Sequence, residues 1–179
     1  VILRNATCYG FSPRMRFDLA INNLAAVAWI SKVIKLESDG SAWRPFVHIE
    51  DITQAMVCAL EAPKDAVYKQ IFNVGDNDSN YKIIDIANAI KKHMPECEIS
   101  LNAKNTDKRN YRVNFDKITT NLPGFKVRKN VPDGVKELLD VYKKVGLEKS
   151  DFESRDYTRL KQIEYLRNTG QIDEKFYWR

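Results

Sequence analysis

Val1-Ile2-Leu3-Arg4-Asn5-Ala6-Thr7-Cys8-Tyr9-Gly10 is the stretch whose reading decides the fold. It is mostly apolar and is broken at Gly10 and again at Ser12-Pro13, so residues 1–9 are expected to form one buried strand. A sequence that begins at Val1 inside a core strand reads as the second half of a larger fold. Next, Leu19, Ala20, Leu24, Val27, Ala28 and Ile30 recur near helical spacing, which predicts a helix over 18–33 carrying Asn22 and Asn23. Two short strands are expected at 33–37 and 45–49, with a turn at Asp39-Gly40. Asp51 to Gln54 has the form of a capping box opening a helix that runs to Glu61 and stops at Pro63.

Beyond this, 71–74 reads as a strand closed by Gly75, 76–80 as a loop and 83–93 as a helix ended by Pro95. Strands are expected at 98–101 and 111–115. Asp116 is placed to cap a short helix to Leu122, before the turn at Pro123-Gly124. An amphipathic helix over 135–145 should end at Gly146, and another should cover 156–168. The aromatic tail Phe176-Tyr177-Trp178 is expected to pack on the body. Strands alternating with helices predict an α/β architecture.

Three phrases now stand in order: Leu3-Arg4 leading to Tyr9-Gly10, then Arg44-Pro45-Phe46-Val47-His48-Ile49-Glu50-Asp51, then Phe72-Asn73-Val74-Gly75. Together they resemble the C-terminal half of the extended short-chain dehydrogenases/reductases, the NAD-dependent nucleotide-sugar epimerase/dehydratase family. The resemblance implies an α/β fold made of the last part of a Rossmann-type domain plus the small mixed α/β substrate-binding lobe. Residues 1–179 would then be a single C-terminal substrate-binding portion, with the N-terminal dinucleotide-binding portion missing. The sequence has no Gly-rich dinucleotide fingerprint and no Tyr-x-x-x-Lys pair, so this chain by itself is expected to be inactive. The whole protein would be an epimerase or dehydratase working by transient hydride transfer with NAD or NADP. The other reading, from a different class, is a non-catalytic module derived from this family that binds a sugar nucleotide or a partner protein.

Composition narrows the partners. With 44% hydrophobic and 30% charged residues the chain is a folded globular one, and it has no apolar run of membrane-spanning length. The net charge of +5 is spread among acidic residues without a Lys/Arg block, so the expected anionic partner is a nucleotide-diphosphate sugar rather than nucleic acid. No membrane partner is expected. Members of the family are often dimers, so a homodimer of the whole protein is among the implications. Cys8, Cys58 and Cys97 are odd in number and unevenly spaced, two of them in apolar strand or helix contexts, which reads as a reduced, cytoplasmic protein.

The resemblance assigns Thr7 and Cys8 to the nicotinamide end of the cofactor. It assigns Asn22, Asn23, Arg44, Asp107 and Arg109 to the substrate. Arg44 is the first candidate on chemical grounds, because a guanidinium fork makes two charge-assisted bonds to a diphosphate at once; its bland alternative is a pair with Glu50 or Asp51. Asp107 would accept from the hydroxyls of a ribose, and the Asn amides would donate to phosphate or sugar without adding charge. Arg14 and Arg16 stand in second rank, facing the sugar or its phosphate, or pairing with Asp18 and Glu37. His48 reads as a structural histidine, since His48 and His93 lack the spacing of a metal site. Asp51 reads as a helix cap, and the inward-packing reading of Tyr81 is set against stacking on a base.

Overall fold

The computed structural model describes residues 1–102 and 109–179. The first stretch is two strands rather than one: β1 (Ile2–Asn5) and β2 (Thr7–Tyr9). They are followed by α1 (Ala20–Ser31), β3 (Val33–Leu36), β4 (Trp43–His48), α2 (Ile49–Glu61), α3 (Lys64–Val67), β5 (Ile71–Val74), β6 (Asn80–Lys82), α4 (Ile83–His93) and β7 (Glu98–Leu101). The remaining helices are α5 (Asp116–Asn121), α6 (Val131–Val145), α7 (Lys149–Glu153) and α8 (Arg159–Asn168).

The strand divides at Ala6 because it serves two partners. β1 runs parallel to β5, with Leu3 opposite Phe72, whereas β2 runs parallel to β4, with Cys8 opposite Val47. The Ala6 amide still donates to the Val74 carbonyl, so the change of partner leaves no orphaned donor at the joint. β4 also pairs antiparallel with β6, and β3 runs parallel to β7. Parallel pairs need crossovers, which the helices supply.

Alternation along β2 and β4 divides the interior into two cores. Tyr9 and Phe46 point into one cluster with Ile21, Ile34, Ile86, Leu138 and Tyr142, while Cys8 and Val47 point into the other with Ile52, Phe72, Phe115 and Ile118. The first core is held across α1 and α6 by two polar ties: Tyr142 donates to the Asn22 carbonyl (3.2 Å) and Trp29 Nε1 to the Leu147 carbonyl (3.1 Å).

Several expectations need correction. Asp51 is no N-cap: His48 occupies that position, its Nδ1 accepting from the Glu50 amide, and the buried Asp51 carboxylate accepts from the amides of Arg128 and Lys129 instead. Gln54 similarly accepts from the Lys126 amide. These two side chains therefore tie α2 to the distant strap that leads into α6.

Residues 111–115 form no ladder, because their backbone is satisfied by side-chain amides: Asn80 Oδ1 accepts from Val113 and Asn77 Oδ1 from Phe115. Asn80, expected as the end of a loop, instead opens the strand β6. Asp116 does not cap its helix either; its carboxylate accepts from the amides of Asn77 and Asn114.

α6 starts at Val131, four residues before the expected position, since Asn130 accepts from the Asp133 amide and Pro132 sits in the first turn. The helix expected over 156–168 is broken at Thr158, where the Tyr157 carbonyl is drawn away to accept from the Phe17 amide (3.1 Å). The aromatic tail does not pack: Phe176, Tyr177 and Trp178 are 60–73% exposed. The chain closes there on its own backbone, Asp173 donating to the Tyr177 carbonyl and a bridge joining Ile172 to Trp178.

Candidate functional site

Pairing of β2 with β4 sets Thr7 opposite Phe46, two residues along the strand from Arg44. Arg44 is 8% exposed, in a strand between Trp43 and Pro45. Its Nη1 donates to the Trp43 carbonyl (2.6 Å) and to the carbonyl of Arg109, and its guanidinium carbon stands 5.3 Å from the Tyr111 ring centroid. The segment from Arg109 onward is thus laid against β4, where Asn110 Oδ1 also accepts from the Trp43 amide and the Tyr111 amide donates to the Trp43 carbonyl.

A cavity of about 240 Å³ opens at this junction, lined among others by Arg4, Asn5, Thr7, Asn73 and Tyr111. Val113 separates it from a second of about 520 Å³, bordered by Trp43, Asn80 and Arg112. Cations collect around the second: Lys82 and Arg112 lie 5.5 and 5.1 Å from the Trp43 ring centroid. Such a basic rim, beside a buried guanidinium fork, suits a ligand with a diphosphate.

Thr7, Arg44 and Arg109 are therefore brought together. Asp107 lies outside the described residues. Cys8 is half-buried beside Thr7, and burial pushes its thiol up, with Arg16 pulling in the other direction. Asn22 and Asn23 serve the loop that leaves β2. Asn22, 2% exposed, accepts from the Gly10 amide and donates to the Arg16 carbonyl, and Asn23 donates to the Phe17 carbonyl. Arg16 pairs with Asp18, both bonds being 2.8 Å. Sequence reading did not single out Asn80 and Trp43, whose part follows from pairing across β4 and β6. A polar Asn at the head of a strand was the one available signal.

On the other side of Tyr9 stands a partly buried cluster of His48, Glu137 and Lys129. His48 is fully buried, with its Nε2 3.4 Å from Glu137 Oε1, while Lys129 Nζ donates to Glu137 Oε2 at 2.9 Å. Burial pushes the Glu137 carboxyl up, but the Lys129 hydrogen bond, His48 and the Lys129 charge outweigh it and hold it below its ordinary value of 4.5. A depressed carboxyl contributes stability that is present above the unfolded-state value and lost as pH falls through the folded one. Glu137→Gln is accordingly expected to lower stability at pH 7 by about 1 kcal/mol and to matter progressively less at an acid pH where the folded carboxylate becomes protonated. Thermal unfolding at the two pH values checks this, and a gap that persisted in acid would assign the effect to packing rather than charge.

Residues 1–75 match the sequence model of the NAD dependent epimerase/dehydratase family. A dTDP-L-rhamnose 4-epimerase of Burkholderia thailandensis is 30% identical over 109 residues, which are 60% of this chain and 29% of that protein. Among solved structures, UDP-glucuronic acid 4-epimerase from Bacillus cereus, in complex with UDP-glucuronic acid and NAD, is 26% identical with a TM-score of 0.68, over 81% of this chain and 45% of that one. ADP-L-glycero-D-manno-heptose-6-epimerase of Helicobacter pylori shares the fold at 24% identity, with a TM-score of 0.65 over 78% of this chain and 43% of that one. The chain spans less than half the length of these relatives. Among the described residues, no helix is long and apolar enough to cross a membrane.

Proposed function

Because the chain is a relative of the NAD-dependent epimerases and dehydratases, we propose that it forms the nucleotide-sugar-binding part of an enzyme of that class. The observation that carries this reading is Arg44, a nearly buried arginine fixed by the Arg109 carbonyl and the Tyr111 ring within one strand register of Thr7. In this reading Arg44 and the Arg109 side chain grip the diphosphate, and Asp107 takes the ribose hydroxyls. Asn22 and Asn23 hold the loop after β2 in place so that the sugar meets a formed wall. Binding energy from the nucleotide is thereby used to orient a remote reacting carbon.

The residues at the 240 Å³ cavity fit the nicotinamide end of a dinucleotide. Thr7 is small and polar, and the β1–β2 joint leaves main chain accessible beside it, while the cavity's size admits one ring and not a whole cofactor. When bound, NAD or NADP would take hydride from a sugar carbon and return it. Thr7 and the neighbouring main chain hold that end in place, while Cys8 is turned into the second core and lends only its backbone. The group that removes the sugar hydroxyl proton belongs to the part of the enzyme that carries a Tyr-x-x-x-Lys pair. The whole enzyme would work in the cytoplasm.

Calorimetric titration with UDP-glucose tests the reading. Binding is expected to the wild-type chain, and Arg109→Ala, at an exposed side chain, is expected to weaken it about tenfold, with melting temperatures separating lost affinity from lost stability. No heat with the wild-type chain, or no loss in the variant, would refute the assignment.

A further inference from the structure

Val113 is common to the linings of the 240 and 520 Å³ cavities, so the place of its backbone sets the shape of both. One side chain takes both of its backbone groups: Asn80 Oδ1 accepts from the Val113 amide at 2.9 Å, and Asn80 Nδ2 donates to the Val113 carbonyl at 3.0 Å. Two bonds to one residue fix its orientation as well as its distance, because each is directional. Asn80 Nδ2 also donates to the Asn77 carbonyl at 2.9 Å, which pins this clasp to the turn leading into β6.

The donors of that amide decide how Asn80 acts. It borders the larger cavity, where direct contact with a ligand is the simple expectation. A side-chain amide has two N–H donors, and both are committed, one to Asn77 and one to Val113. No side-chain donor is left for a phosphate, and the amide oxygen would repel one. Asn80 therefore reaches a ligand only through the segment it holds.

That segment runs from Arg109 to Phe115. At its start it meets β4: Arg44 Nη1 donates to the Arg109 carbonyl, Asn110 Oδ1 accepts from the Trp43 amide at 3.1 Å, and the Tyr111 amide donates to the Trp43 carbonyl at 3.4 Å. At its end Asn77 Oδ1 accepts from the Phe115 amide at 2.8 Å, and Asn73 Nδ2 donates to the Asn114 carbonyl at 3.3 Å. Val113 lies between the two ends, where no ladder keeps the chain in line. Without the clasp both Val113 groups lose their protein partner, and the backbone gains freedom to turn between Tyr111 and Phe115. Such a turn carries Arg109 away from Arg44. Resting on the nucleotide site proposed above, we infer that Asn80 is a positioning residue of that site: through Val113 it sets Arg109 beside Arg44, so that two guanidiniums meet the diphosphate together.

A double-mutant cycle with Arg109 tests this, with UDP-glucose as the calorimetric probe. Asn80→Ala is expected to weaken binding about tenfold in the wild-type background. Once Arg109→Ala is present the same change should cost less than about twofold, because a residue that acts through Arg109 then has nothing to position. Asn80→Asp has the same shape, keeps the acceptor for the Val113 amide and loses both donations. Its expected loss lies between wild type and Asn80→Ala, and it carries the test if the alanine variant fails to fold. Hydrogen exchange at the Val113 amide reads the clasp itself and is expected to quicken in Asn80→Ala. Full affinity in folded Asn80 variants overturns the inference, as does an unchanged Val113 exchange rate. An equal loss in both backgrounds also overturns it, since that loss belongs to direct contact or general destabilisation. If Arg109→Ala alone binds as tightly as wild type, the nucleotide reading itself fails, an outcome visible without any Asn80 variant.

Discussion

Gly10→Ala is expected to destabilise the chain by about 3 kcal/mol or more, a large share of the total stability of about 5–15 kcal/mol typical of a domain. Gly10 has φ +106°, a conformation that an L side chain rarely adopts, and a Cβ built there comes within 2.7 Å of His48 Cδ2 and closer still to Nε2. The imidazole has nowhere to go: it is fully buried, with Tyr9 edge-on at 5.2 Å and Glu137 beside its Nε2. Gly134 on α6 completes the enclosure, its missing side chain making room for the Tyr9 ring. Gly146→Ala is the control. Its φ is +64°, yet nothing lies within 4 Å of the added carbon, so backbone strain alone should cost about 1 kcal/mol. Chemical denaturation of both variants decides the matter: if Gly10→Ala costs no more than Gly146→Ala, the packing of His48 against this turn is wrong.

Arg44→Ala is expected to weaken binding of UDP-glucose about a hundredfold, the scale of losing hydrogen bonds to a charged group. Arg44→Lys should recover part of that, remaining about tenfold weaker than wild type, because an ammonium supplies the charge without the planar fork. Arg44 also holds the Arg109 carbonyl, so the alanine variant is expected to lose stability as well. Melting temperatures separate the two effects, and the lysine variant carries the test if the alanine variant fails to fold. An unchanged affinity in a folded Arg44→Ala chain would end the diphosphate assignment.

Legibility from sequence followed the range of the interactions involved. The 18–33 and 83–93 helices, the strands at 33, 71 and 98 and the stop at Gly146 were read nearly where the structure has them, since each rests on local periodicity or on a cap within a few residues. The readings of Asp51, Gln54 and Asp116 missed because their side chains bond to groups far away in sequence, or to neighbouring amides instead of a helix end: Asp51 to Arg128 and Lys129, Gln54 to Lys126, Asp116 to Asn77. Local pattern offers a capping role to any such residue, and only the assembled fold shows which amide comes within reach.

The candidate site divides the same way. Arg44 stood out in sequence because a charge set among strand-forming residues demands a partner, and Thr7 and Arg109 were named through family resemblance. That Arg109 and Tyr111 lie on Arg44 depends on side-chain amides in place of a ladder: Asn80 accepts from the Val113 backbone amide, and Asn110 accepts from the Trp43 amide of β4.

The sequence by itself determined the α/β alternation, the family phrases and the residue types able to hold a diphosphate, because each is written in neighbouring residues. The tertiary structure alone decided that the first strand changes partner at Ala6, that Asn22 and Asn23 clamp a loop, and that Arg14 and Arg159 line one cavity. Those facts are contacts between segments tens or more than a hundred residues apart. They exist only once burial of the two cores has fixed how β2 and β4 lie between them.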